Sequence, residues 1–267
     1  RRKVLANYGF LKDVALSRVF ELTDGDGRML WHVTDCFFSR ADGKYVIPPG
    51  LLHAAGGESE CPKLTTEHTA GIYDLEGTSA TGISVEVTKS GSMTRAKFPW
   101  ICEHFVNHLP VGQGVGGDPV FLFLDGHTSR WSLLALQYLE ENNIFCICLP
   151  SHTSIFSQPN DAGINAAFKH AFAKAVRKWR RTHAIAVYGA MERCVFNEVF
   201  ADAWSQFIED QHEKLQQCGE NAATHAWHKV GLGRGNRDCP FWSDAIATLG
   251  ALTALAAADS PAPAAAA

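Results

Sequence analysis

Two continuous apolar runs constrain this chain more than anything else in it. Val120 to Leu124 (VFLFL) and residues 144–149 (IFCICL) each read as a buried strand, and a short helix over about 129–141 separates them. A strand, a short helix and a second strand with tight connections close only as a parallel pair. The first run stops at Asp125-Gly126, so Asp125 sits at the carboxyl end of a parallel strand, where open α/β sheets place ligands. Both runs are expected to be covered on both faces.

Around this unit the periodicity is legible. Residues 29–38 (MLWHVTDCFF) are rich in strand formers, Ala41-Asp42-Gly43-Lys44 reads as a turn, and Tyr45-Val46-Ile47 resumes before Pro48-Pro49, which predicts a hairpin. Residues 53–91 are rich in Gly, Ser, Thr and Glu, with Ile83 to Val87 alternating like a half-exposed strand. Phe98, Ile101, Phe105 and Leu109 give one helical face, with Pro99 in its first turn. A long helix is predicted from Asn160 or Asp161, with Ile164, Phe168, Phe172, Val176 and Trp179 as its apolar stripe and Asp161 at its head pointing to the sheet. Helical spacing continues over 192–217, Gly231, Gly233 and Gly235 break it, and residues 251–267 are expected to form a disordered Ala/Pro-rich tail. The expectation is one domain over residues 1–250 followed by that tail.

With 267 residues, 46% hydrophobic, the chain can bury a core. Twenty-four Lys and Arg against 28 Asp and Glu leave a net charge of −4, so any affinity for nucleic acid must be local. One stretch qualifies. From Ala162 to Met191 there is no acid, while Lys169, Lys174, Arg177, Lys178, Arg180 and Arg181 are all cationic. Of these, Lys174, Arg177, Lys178 and Arg181 fall away from the apolar stripe, where they could follow a phosphate backbone; a merely solvated helix face is the simpler reading. No apolar run approaches the length that spans a bilayer, so no membrane partner is expected. The eight cysteines contain no C-x-x-C pair and read as reduced thiols. The chain starts at Arg1 without Met, which suggests a fragment or processed piece.

Several motifs carry less than they promise. Gly112-Gln113-Gly114-Val115-Gly116-Gly117 satisfies G-x-G-x-x-G but precedes a strand and opens no helix, the reverse of a dinucleotide fingerprint. Ser129 lacks a nucleophile elbow. His104 and His108 lack the glutamate of H-E-x-x-H and read as surface histidines. Cys218, His225, His228 and Cys239 have zinc-binding types without a zinc spacing. The pair Asp125 and Asp161 is different. One ends a buried strand, and the other heads a helix that packs on the same sheet. Converging carboxylates there would suit Mg²⁺ or Mn²⁺. Equally, each aspartate could simply cap the helix that follows it, and spacing alone does not choose.

The residues around these aspartates resemble a known family. Val120-Phe-Leu-Phe-Leu-Asp125-Gly-His-Thr-Ser129, then Cys148-Leu-Pro-Ser-His-Thr-Ser154 and Gln158-Pro-Asn-Asp161-Ala-Gly163 with Phe168-Lys169, are similar to the DDE superfamily endonuclease domain of pogo-like transposases, the jerky and centromere-protein-B group. His32-Val-Thr34, Ala41-Asp-Gly43 and Pro48-Pro49 resemble its early hairpin, Ser90-Gly-Ser-Met-Thr94 with Phe105 its next helix, and residues 226–240 its closing segment.

The resemblance implies an α/β, ribonuclease-H-like mixed sheet flanked by helices. It also implies two divalent metals, Mg²⁺ or Mn²⁺, on catalytic aspartates, DNA as partner, and a nuclear location; a homo-oligomer is compatible with it. Asp125 matches the second family aspartate and Asp161 the third, as catalytic and metal-binding positions. The first belongs to an Asp-Glu-Thr motif on a strand expected to be missing here; Asp13, Asp24, Asp26 and Asp35 lie nearby without that motif. Arg130 stands where the family has His, Ser151 where it has Pro, and Asn160 where Leu precedes the third aspartate. The expected function is a transposase-derived, nucleic-acid-binding endonuclease domain with metal-dependent cleavage lost in this copy. The alternatives are a domesticated, non-catalytic DNA-binding or chromatin-interaction protein, and an unrelated metal-dependent α/β hydrolase.

Overall fold

The computed structural model describes residues 9–10, 17–23, 29–45, 47–55, 62–74, 76–150, 157–183 and 192–232. The Ala/Pro tail, Asp13, Asp24, Asp26, Ser151 and Cys239 lie outside them. Among the described residues, seven strands and six α-helices run in the order β1 (Gly9–Phe10), β2 (Ser17–Thr23), β3 (Met29–Cys36), β4 (Gly50–Ala54), α1 (Thr66–Thr69), β5 (Ser84–Thr88), α2 (Phe98–Asn107), β6 (Val120–Leu124), α3 (Leu133–Glu141), β7 (Ile144–Cys148), α4 (Asn165–Thr182), α5 (Arg193–Cys218) and α6 (Ala222–Lys229).

The strands form two sheets. One has the order β1-β2-β3-β4-β5, antiparallel as far as β4 and parallel between β4 and β5. The other is the parallel pair β6 and β7, in register from Val120 opposite Ile144 to Leu124 opposite Cys148. The hairpin expected around residue 30 exists, but its second arm is displaced. Tyr45 and Ile47 lie in the connection with their side chains buried, and β4 starts only after Pro48-Pro49, because proline cannot donate to a ladder and is tolerated at a strand's start.

Residue alternation at the end of β3 divides the interior. Cys36 and Phe38 enter one core with Phe98, Ile101, Phe105, Leu124, Leu139 and Ile144, whereas Phe37 enters the other. That second core is aromatic. Phe168 of α4 has its ring centroid 5.3 Å from Phe37, 5.2 Å from Phe200 and 5.4 Å from Phe207, so the stripe on α4 meets that of α5 under the large sheet. Helix α5 ends at Gly219, whose φ of 74° is the left-handed cap geometry glycine favours. Asn221 then starts α6: its Oδ1 accepts from the amides of Ala223 and Thr224, and its Nδ2 donates 2.7 Å to the Gly43 carbonyl.

Two expectations are corrected by the packing. Strands β6 and β7 are not covered on both faces: Phe121, Phe145 and Ile147 are exposed, while Leu124 and Ile144 on the alternate positions are buried. The stretch after Asp125 is not one helix but a 3₁₀ turn over Thr128–Arg130 followed by α3.

Candidate functional site

The backbone leaving β6 carries the first candidate group. Leu124 is buried, its carbonyl accepts from the Leu149 amide at 2.7 Å, and the next residue, Asp125, emerges with its side chain 12% exposed. A 3₁₀ turn brings Arg130 back to it. The Arg130 Nε lies 3.0 Å from Asp125 Oδ1, and the guanidinium is only 4% exposed. It is held from other sides too: NH1 donates to Ser129 Oγ at 2.9 Å, and the guanidinium carbon lies 5.6 Å from the Phe98 ring centroid, within cation–π range. Ser129 Oγ in turn lies 2.8 Å from His127 Nδ1, which also accepts from the Ser129 amide. With Nδ1 acting as acceptor, the donations run from Arg130 to Ser129 to His127. Ser129, buried within this chain of bonds, is a brace for Arg130 rather than a nucleophile. Cys36 packs nearby, and burial pushes its thiol up to about 12 despite the opposing pull of Arg130, so it stays neutral beside the ion pair.

Asp161 is placed differently from the expectation that it points to the sheet. Residues Asn160–Ile164 form a π-type turn broken at Gly163, and regular α-helix starts only at Asn165. The wider turn rotates the residues before it relative to the α4 stripe. Asn160 therefore takes the inward position at 6% exposure, while Asp161 is exposed and accepts from Asn165 Nδ2 at 2.7 Å. Asn160 anchors the turn to the end of β3: its Nδ2 donates 2.9 Å to the Phe37 carbonyl, and its Oδ1 accepts from Ser39 Oγ at 2.6 Å. Ser39 Oγ also accepts from Trp227 Nε1 of α6. The signal for Asn160 in the sequence is a polar side chain where the related family has Leu.

A groove of about 530 Å³ runs between β6 and the loop after β3, lined by Phe37, Ser39, Phe121, Phe123, Asn160 and Trp227 among others. Neither Asp125 nor Asp161 lines it. Among the described residues no three His, Cys, Asp or Glu are grouped to hold a metal ion. In this arrangement the residues do not fit a divalent cation: a guanidinium charge stands 3.0 Å from Asp125 Oδ1, and Asp161 Oδ1 accepts from an amide. Asp35, in β3, is fully buried opposite Leu51 of β4.

The cationic residues of α4 lie where the periodicity put them. Lys174, Arg177, Lys178 and Arg181 are exposed, opposite the buried Phe168, Phe172, Ala175 and Val176. Lys178 lies 4.0 Å from Asp202 of α5 in an open, weak pair. The G-x-G-x-x-G segment is a closed turn in which Asp118 N donates to the Gly112 carbonyl, and Asn143 Nδ2 donates to the carbonyls of Gly114 and Gly117. His104 is not a surface histidine. It is buried, its Nε2 is 2.8 Å from the Pro48 carbonyl, and burial lowers its pKa to about 4.

Comparison with known proteins agrees with the motifs. The profile of the DDE superfamily endonucleases matches residues 66–216, which is more than half of the chain and includes Asp125, Asp161 and the basic helix. A protein of Cochliobolus lunatus described as MFS-type transporter clz9 is 35% identical over 77 residues, 29% of this chain and 8% of that protein's length. No solved structure matches. With Asp125 at the end of the first strand of a parallel strand–helix–strand unit and the family profile spanning both aspartates, this chain belongs to the DDE superfamily endonucleases.

Proposed function

We propose that this chain is a transposase-derived DDE domain of the pogo-like, ribonuclease-H-like type that binds DNA in the nucleus without cleaving it. The exposed face of Lys174, Arg177, Lys178 and Arg181 carries the reading, because a family that acts on nucleic acid needs phosphate contacts and these four cations lie on the helix that follows Asp161. The parallel β6 and β7 with Asp125 at their carboxyl end support the ribonuclease-H-like assignment. DDE endonucleases use divalent metals, and Asp125 and Asp161 are the two positions that resemble the family's metal-binding aspartates, but in this chain Asp125 is paired with Arg130. That pair favours the second reading, a domesticated non-catalytic DNA-binding or chromatin protein.

Fluorescence anisotropy on duplex DNA of arbitrary sequence, at low and physiological salt, tests the proposal. Binding should fall steeply with salt, since released counterions drive it, and should weaken further when the four cations are changed to Glu. Equal affinity of parent and variant would refute it. Robust Mg²⁺-dependent nicking of supercoiled DNA, abolished by Asp161→Ala, would restore a catalytic role.

A further inference from the structure

The pairing of Asp125 with Arg130 carries an inference of its own, which rests on Asp125 being the family's second aspartate. We infer that Arg130 is a built-in counter-ion at Asp125, taking the place a divalent cation would occupy and keeping this carboxylate closed to metal.

The geometry sets the two cations against each other. A metal bound to Asp125 Oδ1 sits about 2.1 Å from that oxygen. Arg130 Nε is 3.0 Å from the same atom, so metal and guanidinium would lie no more than about 5 Å apart. Both would be in a pocket where the carboxylate is 12% and the guanidinium 4% exposed, so water screens their repulsion poorly. Arg130 cannot easily withdraw. Ser129 Oγ holds NH1, Phe98 covers the guanidinium, and the wall formed by Cys36, Ile101, Cys102, Leu122 and Leu124 is apolar. Release would strand a charge among these groups. A histidine at this position would be neutral near pH 7 and shorter, leaving the carboxylate without its guanidinium.

The test is metal binding read directly. On the whole chain, Mn²⁺ followed by calorimetry and by paramagnetic broadening of the backbone amides of Gly126 to Ser129 should give no site at Asp125 in the wild type. Arg130→His should bind Mn²⁺ at least about tenfold more tightly, and Asp125→Asn in that background should abolish the gain. Arg130→Lys, which keeps the charge, should gain nothing. A wild type whose amides broaden selectively, or whose Mn²⁺ affinity falls on Asp125→Asn alone, overturns the inference; so does a folded Arg130→His protein that binds no more Mn²⁺ than its parent. If Arg130→His does not fold, the wild-type broadening and the Asp125→Asn comparison still decide. DNA binding separates this inference from the functional reading: loss of the α4 salt effect with a gain of Mn²⁺ in Arg130→His would sink the function and leave the counter-ion standing.

Discussion

Asn160 is the residue that ties the Asp161 turn to the large sheet, and its removal has a cost that can be worked from its contacts. Asn160→Ala deletes the 2.9 Å bond to the Phe37 carbonyl and the 2.6 Å bond from Ser39. Each is worth about 1 kcal/mol net, and a buried carbonyl left without a donor adds about 1–3 kcal/mol. Phe37 is 2% exposed, so water does not readily replace the donor, whereas Ser39 is only half-buried and can recover part of its loss. The expected destabilisation is about 2–4 kcal/mol, which for a chain of this size lowers Tm by about 5–15 °C. Asn160→Asp should be worse than Ala, since it sets a carboxylate oxygen against the Phe37 carbonyl. Asn160→Leu should be milder, since new apolar burial offsets part of the loss. Urea denaturation of the whole chain, with Ser39→Ala completing a double-mutant cycle, measures both the total and the coupling, expected near 1 kcal/mol. A cost for Asn160→Ala below about 1 kcal/mol, with Ser39 and Asn160 additive within about 0.5 kcal/mol, would show that the turn is held by something other than these bonds.

Burial lowers the pKa of His53 to about 3, aided by the nearby Arg193 and His68, and that of His104 to about 4. Both are therefore neutral in the fold but take up protons near 6.5 when unfolded, so their contribution is intact above that value and is lost as pH falls toward 4 and 3. Lowering the pH from 7.5 to 5 should cost up to about 4 kcal/mol, read as a falling urea midpoint, and a flat midpoint over that range would contradict it. Phe168→Ala should cost about 3–5 kcal/mol, because its ring is fully buried and meets Phe37, Phe200 and Phe207 at once. Calorimetry showing a Tm within a few degrees of wild type would mean that the aromatic core repacks around the gap.

Most of what the sequence determined about this protein is local and periodic. The runs at 120–124 and 144–148 could only be parallel strands joined by a short helix, and they are; the stripe from Ile164 to Val176 and the spacing over 192–217 became α4 and α5 because apolar residues one turn apart must share a face. The motif order that placed Asp125 and Asp161 within a DDE domain was likewise legible, since family motifs are strings of residues. Tertiary structure alone decided what those aspartates touch. A π-type turn interrupted at Gly163 put Asn160 inward and Asp161 outward, a rotation invisible to a pattern that assumes 3.6 residues per turn. The 3₁₀ turn at Thr128–Arg130 folded a cation back onto Asp125, and whether a guanidinium five residues away reaches a carboxylate depends on backbone turn and burial rather than on spacing. The same holds for His104, whose helical position was plain but whose burial against Pro48 needed a partner from a distant loop.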